Sequence, residues 1–340
     1  MFKNKRILVT GGTGSFGHHI IDKLLGYKPT EIRILSRDEK KQDDMRYKYK
    51  EREELRFIIG DVRDKECLKK AMRMIDIVFH AAALKQVPSA EYNPIEAVKT
   101  NILGAQNVVD VALEDNIERV IAISTDKAVE PVNVMGMTKA IQERIITSAN
   151  QFRDGKRTVF ACVRYGNVLG SRGSVVPLFR RLIEAQIPLP LTHNDMTRFI
   201  ITLNEAIELV FRTTKDAVGG EIFVLKMPAH TVRDLAEVML KELNAKNKVI
   251  KIVGIRPGEK VHETLVSPVE SVRTIAKKDH YIILPQVRIR EIEETYPNYK
   301  NSNLFRYSSD NTERLTKKQL REILKKEGWL DKNSQPSPYD

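Results

Sequence analysis

The chain has 340 residues, 41% hydrophobic and 30% charged, with a formal net charge of +12. This composition excludes disordered and fibrous classes and is enough for one large or two modest cores. No run approaches the roughly 20 apolar residues of a membrane-spanning helix, and Cys67 and Cys162 alone exclude a disulfide framework or a dense metal-ligand cluster.

In chain order, the apolar run 6–10 predicts a first strand, ended by glycines and followed by an apolar-periodic helix over 16–25. Basic residues precede that run, but Gly11 and Gly12 stop it too early for the core of a secretion signal, so a cytoplasmic protein is expected. Further strands are predicted at 32–35, 55–59, 75–79, 119–123 and 159–163, with helical periodicity over 93–113 and 135–152. The alternation predicts an α/β fold, a doubly wound parallel Rossmann-type sheet with a smaller C-terminal substrate-binding lobe. Beyond residue 167 helices are predicted at 175–185 and 203–213, interrupted by the proline-containing stretch 187–191. Thr231 with Asp234, and Thr316 with Gln319, predict helix N-termini. Residues 1–167 are therefore expected to be mainly cofactor-binding and 168–333 mainly substrate-binding, with some segments returning to the first unit. Residues 334–340 are expected to be a flexible tail.

The most specific local signal is Val9-Thr10-Gly11-Gly12-Thr13-Gly14-Ser15-Phe16-Gly17. Gly11 permits the tight strand-to-helix turn, Gly14 the approach of backbone to a pyrophosphate, and Gly17 close helix–sheet packing. Thr13, Ser15 and Phe16 belong to the same cradle, whose helix N-terminus favours phosphate. At the end of the second strand, Ser36 leaves room and Arg37 offers a charge-assisted bond to a 2'-phosphate, so NADP is favoured over NAD, although Asp38 could turn toward a free ribose. Asp61 either accepts from the adenine amino group or caps a turn, with Val62 packing on the base. The positive charge suits such a phosphate ligand better than nucleic acid, because basic and acidic residues are interleaved and aromatic residues are only 6%.

With Ala81, Ala82 and Ala83, Asn101, Ser124-Thr125 and Lys139, the chain resembles the extended short-chain dehydrogenases/reductases. That family generally has a tyrosine four residues before the lysine; here Met135 stands there and cannot exchange a proton. A tighter resemblance is to bacterial inverting UDP-N-acetylglucosamine 4,6-dehydratases of capsule and O-antigen synthesis, whose capsular branch also has methionine at that position. It rests on the strip from Ser124 to Lys139, on Ala83-Leu84-Lys85-Gln86-Val87-Pro88, and on Arg256-Pro257-Gly258-Glu259-Lys260-Val261-His262-Glu263.

The resemblance implies oxidation at sugar C4, proton removal at C5, loss of the C6 hydroxyl, hydride return to C6 and reprotonation of C5 from the other face. Asp126 is expected as proton donor and Lys127 as C5 base. Lys139 is expected to hold the nicotinamide ribose, and Thr125 either bonds the C4 oxygen or caps a loop. Lys127, Asp126 or a water relay could take the C4 hydroxyl proton, with Met135 packing on cofactor or substrate. Lys85 and Asn101 either position substrate and cofactor or serve only the fold. Asn167, Arg181, Arg198, Arg256 and Glu259 are candidate contacts to the UDP portion, and both Arg181 and Arg198 equally suit solvated helix faces. His193, His262 and Glu263 lack metal-ligand spacing, so no metal is expected. The resemblance further implies a homo-oligomer, up to a hexamer, and a downstream reductase or epimerase, with no nucleic acid and no membrane insertion. Two other readings remain open, a UDP-sugar 4-epimerase and a cofactor-bound protein without chemistry.

Overall fold

Apolar runs of four to six residues, too short for helices of their own, form the interior strands of one sheet. The computed structural model describes residues 1–331 apart from 51, 154, 248, 298 and 300–303; the tail expected at 334–340 lies outside them. The first half runs β1 (Arg6–Thr10), α1 (Ser15–Leu25), β2 (Glu31–Ser36), α2 (Glu39–Tyr49), β3 (Leu55–Ile59), α3 (Lys65–Met72), β4 (Ile77–His80), α4 (Val87–Tyr92), α5 (Pro94–Ala97), α6 (Gly104–Glu114), β5 (Arg119–Ile123), α7 (Val134–Ser148) and β6 (Val159–Arg164). The remainder runs β7 (Asn167–Val168), α8 (Val175–Glu184), β8 (Leu189–Leu191), β9 (Thr197–Ile201), α9 (Leu203–Asp216), β10 (Ile222–Leu225), β11 (Ala229–Thr231) and α10 (Val232–Glu242). It ends with β12 (Ile250–Ile252), β13 (Thr264–Val266), α11 (Pro268–Ser271), β14 (Thr274–Ala276), β15 (His280–Ile283), α12 (Arg290–Thr295), β16 (Tyr307–Ser308) and α13 (Lys317–Lys326).

Among the described residues, nine strands form the main sheet in the order β14-β15-β10-β6-β5-β4-β1-β2-β3. Every pairing from β3 to β10 is parallel, and β15 and β14 close the far edge antiparallel. The chain starts at β1 and winds outward both ways, so a crevice opens beyond the carboxyl ends of β1 and β4, where such folds bind ligands. The expected Rossmann-type sheet with a smaller C-terminal lobe is therefore present. One core surrounds this sheet, and a second gathers Phe179, Leu189, Leu235, Met239, Leu320 and Trp329 beneath α8, α10 and α13.

Some expected elements change form. The predicted helix over 93–113 is present as one run, α5 from Pro94, π-helical winding over 98–103 and then α6, and Asn93 separates it from α4. The stretch 187–191 contributes β8. Helix α2 escapes a periodicity reading because it buries only Gln42, Met45 and Tyr49; Asp38 starts it by accepting from Lys41 N–H.

Candidate active site

The glycine turn is fixed by space. A Cβ on Gly11, at φ +67°, would lie 2.9 Å from Ala82 Cα, and one on Gly17 would lie 2.1 Å from the Gly12 carbonyl oxygen. A Cβ on Gly14 would meet only the Gly11 oxygen at 3.3 Å, so this backbone is left open toward the crevice. Gly11, Thr13, Gly14, Ser36, Arg37, Asp61, Val62 and Ala82 line one cavity of about 520 Å³, a cradle that fits a dinucleotide. Ser15 and Phe16 open α1 beside it, and the Ala81 and Ala82 N–H groups donate to the Thr10 carbonyl and hydroxyl, which holds that wall.

At the ribose end the charges are already partnered. Arg37 stands 3.6 Å from Asp61, which also holds Arg63 at 2.7 Å and accepts from the Arg63 N–H. Asp61 thus secures its own loop, while the cap of α3 is Asp64. Ser36 Oγ accepts from Thr13 Oγ1 at 2.9 Å and from the Asp38 N–H at 3.2 Å. Arg172, unforeseen in the sequence, also lines this cavity, and its N–H approaches Ser15 Oγ at 3.4 Å.

The second group gathers past the end of β5. Asp126 is 1% exposed, and its Oδ1 accepts from Thr125 Oγ1 at 2.9 Å and lies 3.0 Å from Lys127 Nζ. Its Oδ2 is buried without a hydrogen-bond partner. Burial pushes the Asp126 carboxyl up; Lys127 opposes this and Glu263 adds to it, leaving the pKa above its ordinary value. Burial works against the Lys127 ammonium, but Asp126 and Glu263, the latter at 3.3 Å, outweigh it and raise its pKa. Lys127 therefore rests as a clamped cation and must release a proton before it can act as the expected base. The Thr125 hydroxyl is engaged with Asp126, so it reaches a substrate oxygen only as part of that pair.

On α7, Lys139 is buried and donates to the Ile123 carbonyl at 2.6 Å and to Gln142 at 2.7 Å; burial pulls its pKa down to about 8. Met135, one turn earlier, packs with Ala90, Ala97 and Leu84. Asn101 is fully buried, bonded to both backbone groups of Leu84 and to Thr138, so it braces the loop before Lys85 against α7. Lys85 itself is exposed.

The UDP candidates divide. Asn133 donates to the Gly258 carbonyl at 2.7 Å while capping α7, which brings the strip carrying Arg256 and Glu259 to the active-site helix. Arg256 is exposed, 3.8 Å from Glu259, whose Oε2 is buried without a partner, as is Asn167 Oδ1. Arg198 is spent on the carbonyls of Thr197, Val261 and Lys260, and Arg181 is exposed on α8, so neither is gathered with the others by a bond. The main omission of the sequence reading is Glu263, 2% exposed, which reaches Lys127 from a distant part of the chain. Among the described residues no group of His, Cys, Asp and Glu could hold a metal ion, and no helix is long and apolar enough to cross a membrane.

A family model described as polysaccharide biosynthesis protein matches residues 7–285. The chain belongs to this family. Within the polysaccharide biosynthesis proteins it is similar to a UDP-N-acetylglucosamine 4,6-dehydratase (inverting) of Campylobacter jejuni, 45% identical over 95% of this chain and 98% of the relative. It is also similar to a UDP-glucose 4-epimerase of Rickettsia conorii, 42% identical over 95% and 96%. The X-ray structure of Pen from Bacillus thuringiensis superposes with a TM-score of 0.90 at 38% identity, covering 97% of this chain and 100% of that one. The resemblance to inverting dehydratases thus holds over nearly the whole chain.

The expectation of NADP is overturned. NAD is the dinucleotide in the structures of DesIV from Streptomyces venezuelae, at a TM-score of 0.68 and 20% identity, and of MoeE5 with UDP-glucose. The physical reason lies at the ribose end, where Arg37 already faces Asp61 at 3.6 Å and where Asp38, lining the same cavity with Lys41 and Arg172, offers a carboxylate to free ribose hydroxyls.

Proposed function

We propose that this chain is an NAD-dependent UDP-N-acetylglucosamine 4,6-dehydratase that inverts C5. The observation that carries this reading is buried Asp126 paired with half-buried Lys127 past the end of β5, an acid and an amine that a simple redox exchange at C4 does not require. Gly11, Thr13 and Gly14 would hold the dinucleotide, which would supply reversible hydride transfer between sugar C4 and C6.

The chain's own residues handle the protons. Met135 cannot take the C4 hydroxyl proton, but Thr125 Oγ1, 2.9 Å from Asp126, offers a path along which that proton passes to Asp126. Asp126 then protonates the departing C6 oxygen, so the proton taken at C4 leaves as part of water. Lys127, once neutral, removes the C5 proton, and after hydride reaches C6 a proton from solvent is returned to the opposite face of C5, which inverts it. Lys139 holds the nicotinamide ribose, and Asn167, Arg256 and Glu259 meet the UDP portion. Residues 1–167 serve the cofactor and 168–333 the sugar nucleotide, with β10, β14 and β15 completing the first unit's sheet. Met137 and Ile141, exposed on α7, and Leu103, exposed at the end of the π-helical turn that packs on α7, support self-association. The two free cysteines support a cytoplasmic setting.

The test is incubation with UDP-N-acetylglucosamine and catalytic NAD in deuterated water, followed by NMR of the sugar. A 4-keto-6-deoxy product with inverted, deuterated C5 is expected. A 4-epimer with its C6 hydroxyl intact would instead establish the second reading, which the similarity to the Rickettsia 4-epimerase favours.

A further inference from the structure

Glu263 is held from several sides. Its N–H donates to Ser309 Oγ at 2.9 Å, and Ser309 Oγ lies 2.7 Å from Thr197 Oγ1. Arg198 grips the preceding carbonyls of Val261 and Lys260 at 3.0 and 2.9 Å. The carboxylate so placed puts Oε1 3.3 Å from Lys127 Nζ, yet leaves Oε2 buried without a partner. A carboxylate serving only the fold is bonded on both oxygens, as Glu270 is by Arg164 and Ser267. An orphaned buried oxygen is costly and marks a group kept in place for another purpose.

We propose that Glu263 is the positioning residue for Lys127, holding its amine against Asp126 and setting the pH at which that amine becomes free to take the C5 proton. This rests on the dehydratase reading above. The charged groups around the amine are Asp126 on its own turn, Glu263 and Lys260 on the 256–263 strip, and Arg198 on β9. Removing the Glu263 charge leaves Asp126 alone against two cations, so Lys127 sheds its proton at lower pH. Its side chain, 24% exposed, can exchange that proton with solvent.

The experiment measures deuterium incorporation at C5 of UDP-N-acetylglucosamine by the full chain with NAD, from about pH 6 to 10, in the parent, Glu263→Gln and Glu263→Asp. Glu263→Gln should move the rising limb down by about one pH unit and lower the maximal rate about tenfold, with KM changed less than about threefold. Glu263→Asp, which keeps the charge but withdraws it, should move the limb down by less than Glu263→Gln does and run at least about fivefold slower. An unmoved limb in folded Glu263→Gln overturns the proposal. If that variant does not fold, Glu263→Asp decides, and the parent rate or an unmoved limb in it overturns the proposal. A parent enzyme that makes no 4-keto-6-deoxy product removes the dehydratase reading and this proposal with it, a failure distinct from an unmoved limb.

Discussion

Arg164 lies between Glu143 and Glu270, and Lys127 lies between Asp126 and Glu263, so two clusters of one cation and two carboxylates sit within a few residues of α7 and β5. In the first, all four carboxylate oxygens accept hydrogen bonds: Glu143 from Arg164 and Ser124, Glu270 from Arg164 and Ser267. In the second, Asp126 Oδ2 and Glu263 Oε2 accept none among the described residues. A planar guanidinium with five donors saturates its partners and ties β6 to α7 and α11. An ammonium engages one oxygen of each carboxylate and leaves the other two open. The saturated cluster is suited to holding structure and the unsaturated one to exchanging protons.

The comparison breaks most visibly at Lys127. Lys127→Met should cut C5 deuterium exchange by about 10²- to 10⁴-fold and, because it leaves Asp126 and Glu263 with only Arg198 and Lys260 as nearby cations, should lower the urea midpoint by less than the loss of Arg164 does; exchange at the parent rate would sink the base assignment. Arg164→Met should do the reverse in kind, since it strands two buried carboxylates and should cost about 3–5 kcal/mol of stability by urea unfolding. An unchanged midpoint there would show that the saturated cluster is not structural.

The third test is acid. Burial opposes ionisation of Glu270, but Arg164 and its hydrogen bonds carry the pKa from 4.5 down to about 2. A carboxyl lowered on folding contributes stability that is complete above about pH 4.5 and is lost as the pH falls toward 2. That shift corresponds to roughly 3 kcal/mol, so Glu270→Gln should flatten the fall in stability between those limits; an unaltered slope would show that other carboxylates carry it. Ser124→Ala removes one donor to Glu143 and should cost only about 1–2 kcal/mol, with C5 exchange within about twofold of the parent. A larger loss of exchange than of stability would place Ser124 in the chemistry instead.

Much of the fold was legible because it is written in short-range terms. The strands at 55–59 and 119–123 appear with the expected limits, and the glycine turn follows from steric demands within a few residues. The strip from Ser124 to Lys139 was legible for the same reason, since Thr125, Asp126 and Lys127 are consecutive and bond one another. Helix α2 was missed because a polar surface helix has little apolar period to detect, and the π-helical winding before α6 because the chain there reads as continuous helix. NADP was expected from Ser36 and Arg37 weighed against Asp38, and the pairing of Arg37 with Asp61 joins two different strand ends.

By itself the sequence determined the glycine turn after β1, the first six strands of the sheet and the adjacent Asp126 and Lys127, each through constraints acting between near neighbours. Only the tertiary structure decided which charges are free to act. It spent Arg198 on backbone carbonyls, packed Met135 among alanines, braced Asn101 against α7 and brought Glu263 to Lys127. The reason is that Coulomb and hydrogen-bond energies depend on distance and burial in space, and separation along the chain carries no record of either.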